Sequence, residues 1–157
     1  MGRPEVTAPP APPTTFTHRA ATPRGLRPLV RRLAPHLTPG TVVTLTGDLG
    51  AGKTTLVRLL CAELGVLPED VRSPSFTLIN EYEGRLSVFH VDLYRVADPG
   101  ELTGLGLDEI LQADAVTFIE WPGALPDLLE AQGLRVLRVD LTFPPGGGPR
   151  TLTVRLP

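Results

Sequence analysis

The 157-residue sequence predicts an α/β fold, a mixed β-sheet flanked by helices in a single domain. Strand-like and helix-like runs alternate along the chain rather than segregating. A glycine-rich stretch, 47–52, joins a β-branched run to a helical one, which marks a parallel-type crossover. Phe76 to Tyr82 and Arg85 to Asp92 are separated only by Glu83-Gly84, short enough to fold back as an antiparallel hairpin. A sheet holding both kinds of connection is mixed.

The elements follow in order. Residues 1–13 hold five prolines and no large aliphatic residue beyond Val6, so they cannot bury enough surface to offset their ordering entropy. A disordered tail is expected there, and a folded domain over 14–157. Thr14 to His18 has β-rich composition and is expected as a first strand. Leu26, Leu29, Val30, Leu33 and Leu37 recur at three- and four-residue spacing, which predicts an amphipathic helix with Arg27, Arg31 and Arg32 on its wet side. Pro35 should end or kink it. Thr41 to Thr46 is a β-branched run of strand length, and Thr54 to Leu64 is a run of helix length stopped by Gly65.

After the hairpin, Asp98-Pro99-Gly100-Glu101 places a capping residue, a proline and a glutamate in the pattern of a helix start. Gly104 and Gly106 interrupt that helix before Leu107 to Leu111. Ala115 to Ile119 is an apolar strand closed by Glu120-Trp121-Pro122-Gly123. Leu134 to Phe143, and Leu152, Val154 and Leu156 with their neighbours, alternate as half-buried strands do.

Composition narrows the function. Cys61 is the only cysteine, which excludes a disulfide scaffold and fits a cytoplasmic protein. No apolar run approaches the roughly 20 residues of a spanning helix, so no membrane association is expected. The net charge of -2 lacks the basic excess of a stand-alone nucleic-acid binder, and RNA is expected to be met through partners. Of 15 basic residues only Lys53 is lysine. Where arginine serves everywhere else, a lone ammonium marks a position whose chemistry requires a compact point charge.

Lys53 sits in Gly47-Asp48-Leu49-Gly50-Ala51-Gly52-Lys53-Thr54, a full match to the phosphate-binding loop pattern G-x-x-x-x-G-K-[ST], between a predicted strand and a predicted helix. In that context glycines let successive N–H groups turn inward as an anion nest, and the helix directs its positive end at the same phosphates. Nucleotide-binding residues are therefore expected at Asp48, Leu49, Gly50, Ala51, Gly52, Lys53, Thr54 and Thr55 in a P-loop NTPase-like fold. Lys53 would reach the β- and γ-phosphates and the Thr54 hydroxyl would ligate Mg²⁺.

Such a site also needs an acid for Mg²⁺ and a group to orient the attacking water. Glu120 and Asp92 each close an apolar strand at the end where ligands collect in open α/β sheets, and spacing alone does not separate their roles. His90 lies inside a strand and reads as a satisfied structural histidine. His18 and His36 are isolated, so no zinc-type cluster forms. Trp121 packs near the nucleotide, in the core, or against a partner. Ser73 to Leu78 carries hydroxyls and a rigid turn where a γ-phosphate-sensing switch is often placed.

The loop with Thr55, then Ser73-Pro74-Ser75-Phe76-Thr77-Leu78, then His90-Val91-Asp92-Leu93-Tyr94-Arg95, then Ile119-Glu120-Trp121-Pro122 resemble, in order and spacing, the TsaE (YjeE) family of small bacterial ATPases. The likeness runs from Thr41 to Pro122. It implies a Mg²⁺-dependent ATPase needed for threonylcarbamoyl modification of adenosine in tRNAs that read ANN codons, acting on TsaD and TsaB rather than transferring the group itself. Carried over by motif, Lys53, Asp92 and Glu120 are catalytic, Thr54 and Glu120 hold Mg²⁺, Ser73 to Leu78 is switch-like, and Trp121 adjoins the site. Ser75 stands where many members carry threonine, which keeps the hydroxyl. The motifs do not fix the adenine contacts, although Thr22 resembles a threonine the family carries early. The competing expectations are a small-molecule P-loop kinase, which usually needs a mobile lid for which this short chain has no obvious insertion, and a nucleotide-binding module that never hydrolyses.

Overall fold

The computed structural model describes residues 14–98 and 100–157. The expected tail and the proline of the expected helix start lie outside the described residues. Seven strands form one sheet: β1 (Thr15–Ala20), β2 (Thr41–Thr46), β3 (Ile79–Glu83), β4 (Ser87–Asp92), β5 (Ala115–Glu120), β6 (Arg135–Thr142) and β7 (Arg150–Arg155), in spatial order β1-β7-β6-β2-β5-β4-β3. The four central strands, β6, β2, β5 and β4, are parallel to one another, and the outer pairings are antiparallel. The sheet is mixed, as its two kinds of connection predict.

Both faces are covered. Val43 and Leu45 of β2, Phe118 of β5 and Val139 of β6 pack with Leu29 and Leu33 of α1 (Arg27–Leu33) and Leu56 and Leu60 of α2 (Lys53–Glu63). On the opposite face Val42, Val91, Ile119 and Val136 meet Leu107 of α4 (Leu107–Gln112) and Leu129 of α5 (Leu125–Ala131), with Leu102 of α3 (Gly100–Gly104) at the margin. Sandwiching between two helical layers explains why β2 and β5 read as unbroken apolar and β-branched runs, β5 being buried at all six positions, rather than as alternating strands.

Four local expectations are corrected. The helix from Leu26 to Leu37 is broken into a 3-10 turn (Pro23–Leu26), α1 and a second 3-10 turn (Ala34–His36). Pro35, which cannot donate a helical hydrogen bond, does end the α-helix as expected, at Leu33. Phe76 to Leu78 is not strand; Leu78 takes a left-handed φ of 65°, which breaks the extended run before Ile79. The hairpin connection is three residues, 84–86, because the Arg85 amide turns aside to donate to the Leu64 carbonyl. Gly84 is required at that crossing: a Cβ there would lie 2.2 Å from the Leu64 oxygen. Finally α5 occupies a stretch between the strand closure at Gly123 and the strand expected from Leu134, where no element was expected.

The topology fixes where a site can form. The chain leaves β2 through α2 to the β3–β4 side, returns to β5, then crosses beyond β2 to β6. In open α/β sheets such a reversal leaves a crevice at the carboxyl ends of the central strands. Leu45 of β2 and Asp92 of β4 are both in register with Glu120 of β5, so the glycine loop and the two acids emerge side by side.

Candidate nucleotide site

A cavity of about 420 Å³ lies over that edge. Its floor is the loop from Leu49 to Gly52 running into Lys53, Thr54 and Thr55, and its walls include Asp92, Glu120, Trp121, Ser73 and Ser75. Gly52 precedes α2 with φ 104°, a conformation that side chains disfavour, and so directs the first helical amides at the loop. Asp48 is the exception among the expected loop residues: it lines a second recess beside Asp140, and only its carbonyl meets Lys53.

Lys53 is buried. Its Nζ donates to the Gly47 and Asp48 carbonyls at 2.5 and 2.9 Å and lies 4.2 Å from the centre of the Trp121 ring. Burial lowers its pKa from the ordinary value, and the carboxylates of Glu120, Asp92 and Asp48 pull the other way. Trp121 is held for this contact by a left-handed φ of 56° and by a hydrogen bond that its backbone N–H donates to the Leu45 carbonyl at 3.2 Å. Its ring also meets Tyr94 at 4.8 Å.

The expected acids converge. Glu120 Oε1 accepts from the Thr54 hydroxyl at 2.8 Å and faces His90 Nε2 at 2.8 Å. Asp92 Oδ1 accepts from the Tyr94 amide at 2.9 Å. One hydroxyl and one carboxylate oxygen side by side are the hard donors that suit Mg²⁺, which takes few protein ligands and fills its shell with water and phosphate. Among the described residues no group of three or more His, Cys, Asp and Glu gathers into a fully protein-ligated centre.

His90 is fully buried and hydrogen-bonded, as a structural histidine should be, yet its partner is the site acid. Sequence reasoning passed over Arg150 as a site residue. From the first position of β7 it donates through Nε to the Ala51 carbonyl at 2.7 Å and through Nη2 to the Gly50 carbonyl at 3.1 Å. Its lone signal in the sequence is an arginine after a glycine-rich loop. The remaining wall is largely apolar, with Pro23, Leu26, Leu141 and Leu152, and Thr22 lies at its edge, capping the 3-10 turn by accepting from the Gly25 amide.

The family profile described as "Threonylcarbamoyl adenosine biosynthesis protein TsaE" matches residues 20–143. The tRNA threonylcarbamoyladenosine biosynthesis protein TsaE of Bacillus subtilis is 38% identical over 120 residues, which cover 76% of this chain and 74% of that protein. The protein of the same name from Synechocystis sp. is 44% identical over 103 residues, covering 62% of this chain and 64%, slightly under two thirds, of its own length. The one from Treponema pallidum is 40% identical over 105 residues, covering 64% and 77%. Among solved structures, Bacillus subtilis YdiB superposes with a TM-score of 0.67 at 31% identity, over 92% of this chain and 86% of that one.

Proposed function

The chain belongs to the TsaE family, and on that premise we propose that it is a Mg²⁺-dependent ATPase of tRNA threonylcarbamoyladenosine biosynthesis. In this reading, hydrolysis of ATP to ADP and phosphate drives or resets a TsaD–TsaB complex acting on tRNAs that read ANN codons, and tRNA is met through that complex. The observation that carries the reading is the convergence, in one cavity, of the anion-binding loop, the chain's single lysine, a hydroxyl–carboxylate pair and a second carboxylate. The volume is that of a small-ligand site.

Each residue then has a task. Amides of the loop and of the start of α2 grip the phosphates, apart from that of Ala51, which donates to the Asp48 carbonyl at 3.0 Å, and Lys53 supplies the charge that burial makes costly without an anionic partner. Thr54 and Glu120 hold Mg²⁺, which when bound neutralises charge building on the phosphate oxygens. Asp92, one oxygen tied to the Tyr94 amide, orients the attacking water with the other. Pro23, Leu26 and Leu152 offer an apolar wall for the base. The partner assignment is supported by large apolar groups left in water, Leu49 of the cavity lining at 64% exposure and Phe76, next in sequence to the lining residue Ser75, at 86%, with Arg95 4.9 Å over the Phe76 ring.

The test is reconstituted tRNA modification with TsaD and TsaB, comparing wild type with Lys53→Ala. The variant is expected to support no repeated product formation; undiminished multi-turnover modification overturns the scheme. Labelled ATP separates the kinase reading, which needs phosphoryl transfer to an acceptor other than water.

A further inference from the structure

Resting on that reading, we infer that His90 is a positioning residue that joins the carboxylate of Glu120 to the Ser73–Leu78 segment, so that aligning Glu120 with Thr54 and docking the segment are one event. The path is continuous. His90 Nε2 lies 2.8 Å from Glu120 Oε1, the same oxygen that accepts from Thr54. A carboxylate oxygen can only accept, so Nε2 carries the hydrogen, and in the neutral ring Nδ1 is left as an acceptor. Both donors occupy one carboxylate oxygen, which leaves the other for a cation or water.

Nδ1 faces the Tyr82 hydroxyl at 3.5 Å. That hydroxyl accepts from the Arg72 amide at 3.2 Å and from Asn80 Nδ2 at 3.3 Å, while its own single proton has two acceptors, the Arg72 carbonyl at 3.1 Å and His90 Nδ1. A proton that satisfies only one of two acceptors makes Tyr82 the branch point between the acid and the backbone just before Ser73. Asn80 extends the branch, donating to the Arg72 carbonyl at 3.2 Å and accepting from the Thr77 hydroxyl at 2.7 Å.

A second strap runs to the other acid: the Asp92 amide donates to the Leu78 carbonyl at 2.9 Å. Leu78 stands in the left-handed region, a conformation that persists only where the surroundings hold it. Ser73 and Ser75 line the cavity, so a segment tied at both ends to the acids also faces whatever they bind. A merely space-filling histidine would need none of this. Nor would its ring be aimed at an oxygen already shared with Thr54.

The experiment uses the full chain and a non-hydrolysable ATP analogue. Mg²⁺ is titrated into the protein–analogue complex, and hydrogen exchange of amides 72–80 is followed with and without Mg²⁺. In wild type, Mg²⁺ is expected to slow exchange across the segment. Loss of an outer partner of a metal ligand typically weakens the metal about 10- to 100-fold. His90→Ala should therefore bind Mg²⁺ at least about 10-fold more weakly and lose the slowing, while analogue affinity in EDTA stays within about twofold because the loop is intact. Tyr82→Phe, which keeps the ring and its packing, should retain Mg²⁺ affinity yet lose the slowing. Unchanged Mg²⁺ affinity in His90→Ala, or wild-type slowing in Tyr82→Phe, overturns the inference. A wild-type chain that binds no analogue in either buffer overturns the nucleotide reading beneath it.

Discussion

Arg150 lies about a hundred residues from the loop it holds, and its planar fork is what the task requires. Two N–H groups reach two consecutive carbonyls, those of Gly50 and Ala51. The amide behind the Gly50 carbonyl, that of Ala51, closes a turn onto the Asp48 carbonyl at 3.0 Å, so the fork fixes this turn of the loop from outside. Hydrogen bonds from a charged donor contribute about 1.5–3 kcal/mol. Arg150→Ala should weaken analogue binding about 10-fold in isothermal titration, since about 1.4 kcal/mol is a factor of ten. Arg150→Lys should recover little, because an ammonium cannot span both carbonyls. Full rescue by lysine would reduce the residue to a general positive charge. At this scale the sequence was legible where the candidate site is written contiguously. The loop, Lys53 and Thr54 could be read from spacing, and Glu120 and Asp92 from their places at strand ends. Arg150 and the link from His90 to Glu120 were not, because each depends on a strand pairing that spacing does not encode.

Elements were legible where the pattern was long. β2 appears at its predicted boundaries, and α2 within a residue of them, each having a β-branched or apolar run with glycines beside it. α5 was missed because Pro122 and Gly123 read as a strand closure and no element was read between them and Leu134, although a proline such as Pro126 is tolerated in a helix's first turn. Its anchor is Arg138 of β6, which donates through Nε and Nη2 to Glu130 and through Nη2 to Asp127. The bond to Glu130 raises the guanidinium pKa against its burial. Arg138→Met should lower stability by about 1 kcal/mol, near the upper end for such pairs. Asp127→Ala, which removes a carboxylate that is itself 80% exposed, should cost almost nothing. Urea unfolding of the two variants checks this, and equal losses would contradict it. On the opposite face, α2 buries Cys61, whose thiol is pushed from 9.0 to about 12 by desolvation. Below 9.0 the thiol is protonated folded or unfolded; from there to about 12 only the unfolded chain ionises, so stability falls through that window. Cys61→Ala should show a pH-independent packing loss and a shallower decline in that window. Parallel declines would remove the thiol from the explanation.

Across the whole molecule, the cavity gathers residues from nearly the full described chain. Thr22 and Pro23 come from the segment after β1, the loop from the β2–α2 turn, Asp92 and Glu120 from β4 and β5, and Arg150 and Leu152 from β7. β7 reaches the site because it lies between β1 and β6, which places residues near both ends of the described chain beside the glycine loop. At the other edge, β3 carries Asn80, Glu81 and Glu83, polar side chains that discourage further strand pairing. A ligand touching so many strands should stabilise one cooperative unit rather than a lobe. Binding only to the folded state adds about 2.7 kcal/mol at a hundredfold excess over Kd. For a chain of this length that is an increase in Tm of about 5–11 °C. Calorimetry with the Mg²⁺-bound ATP analogue should show a single transition displaced upward by that amount. At the same ligand concentration Lys53→Ala, which loses the buried ammonium beside the loop, should shift far less. Two separated transitions would mean that the ligand grips only part of the sheet, and an equal shift in Lys53→Ala would mean that it binds somewhere other than the loop.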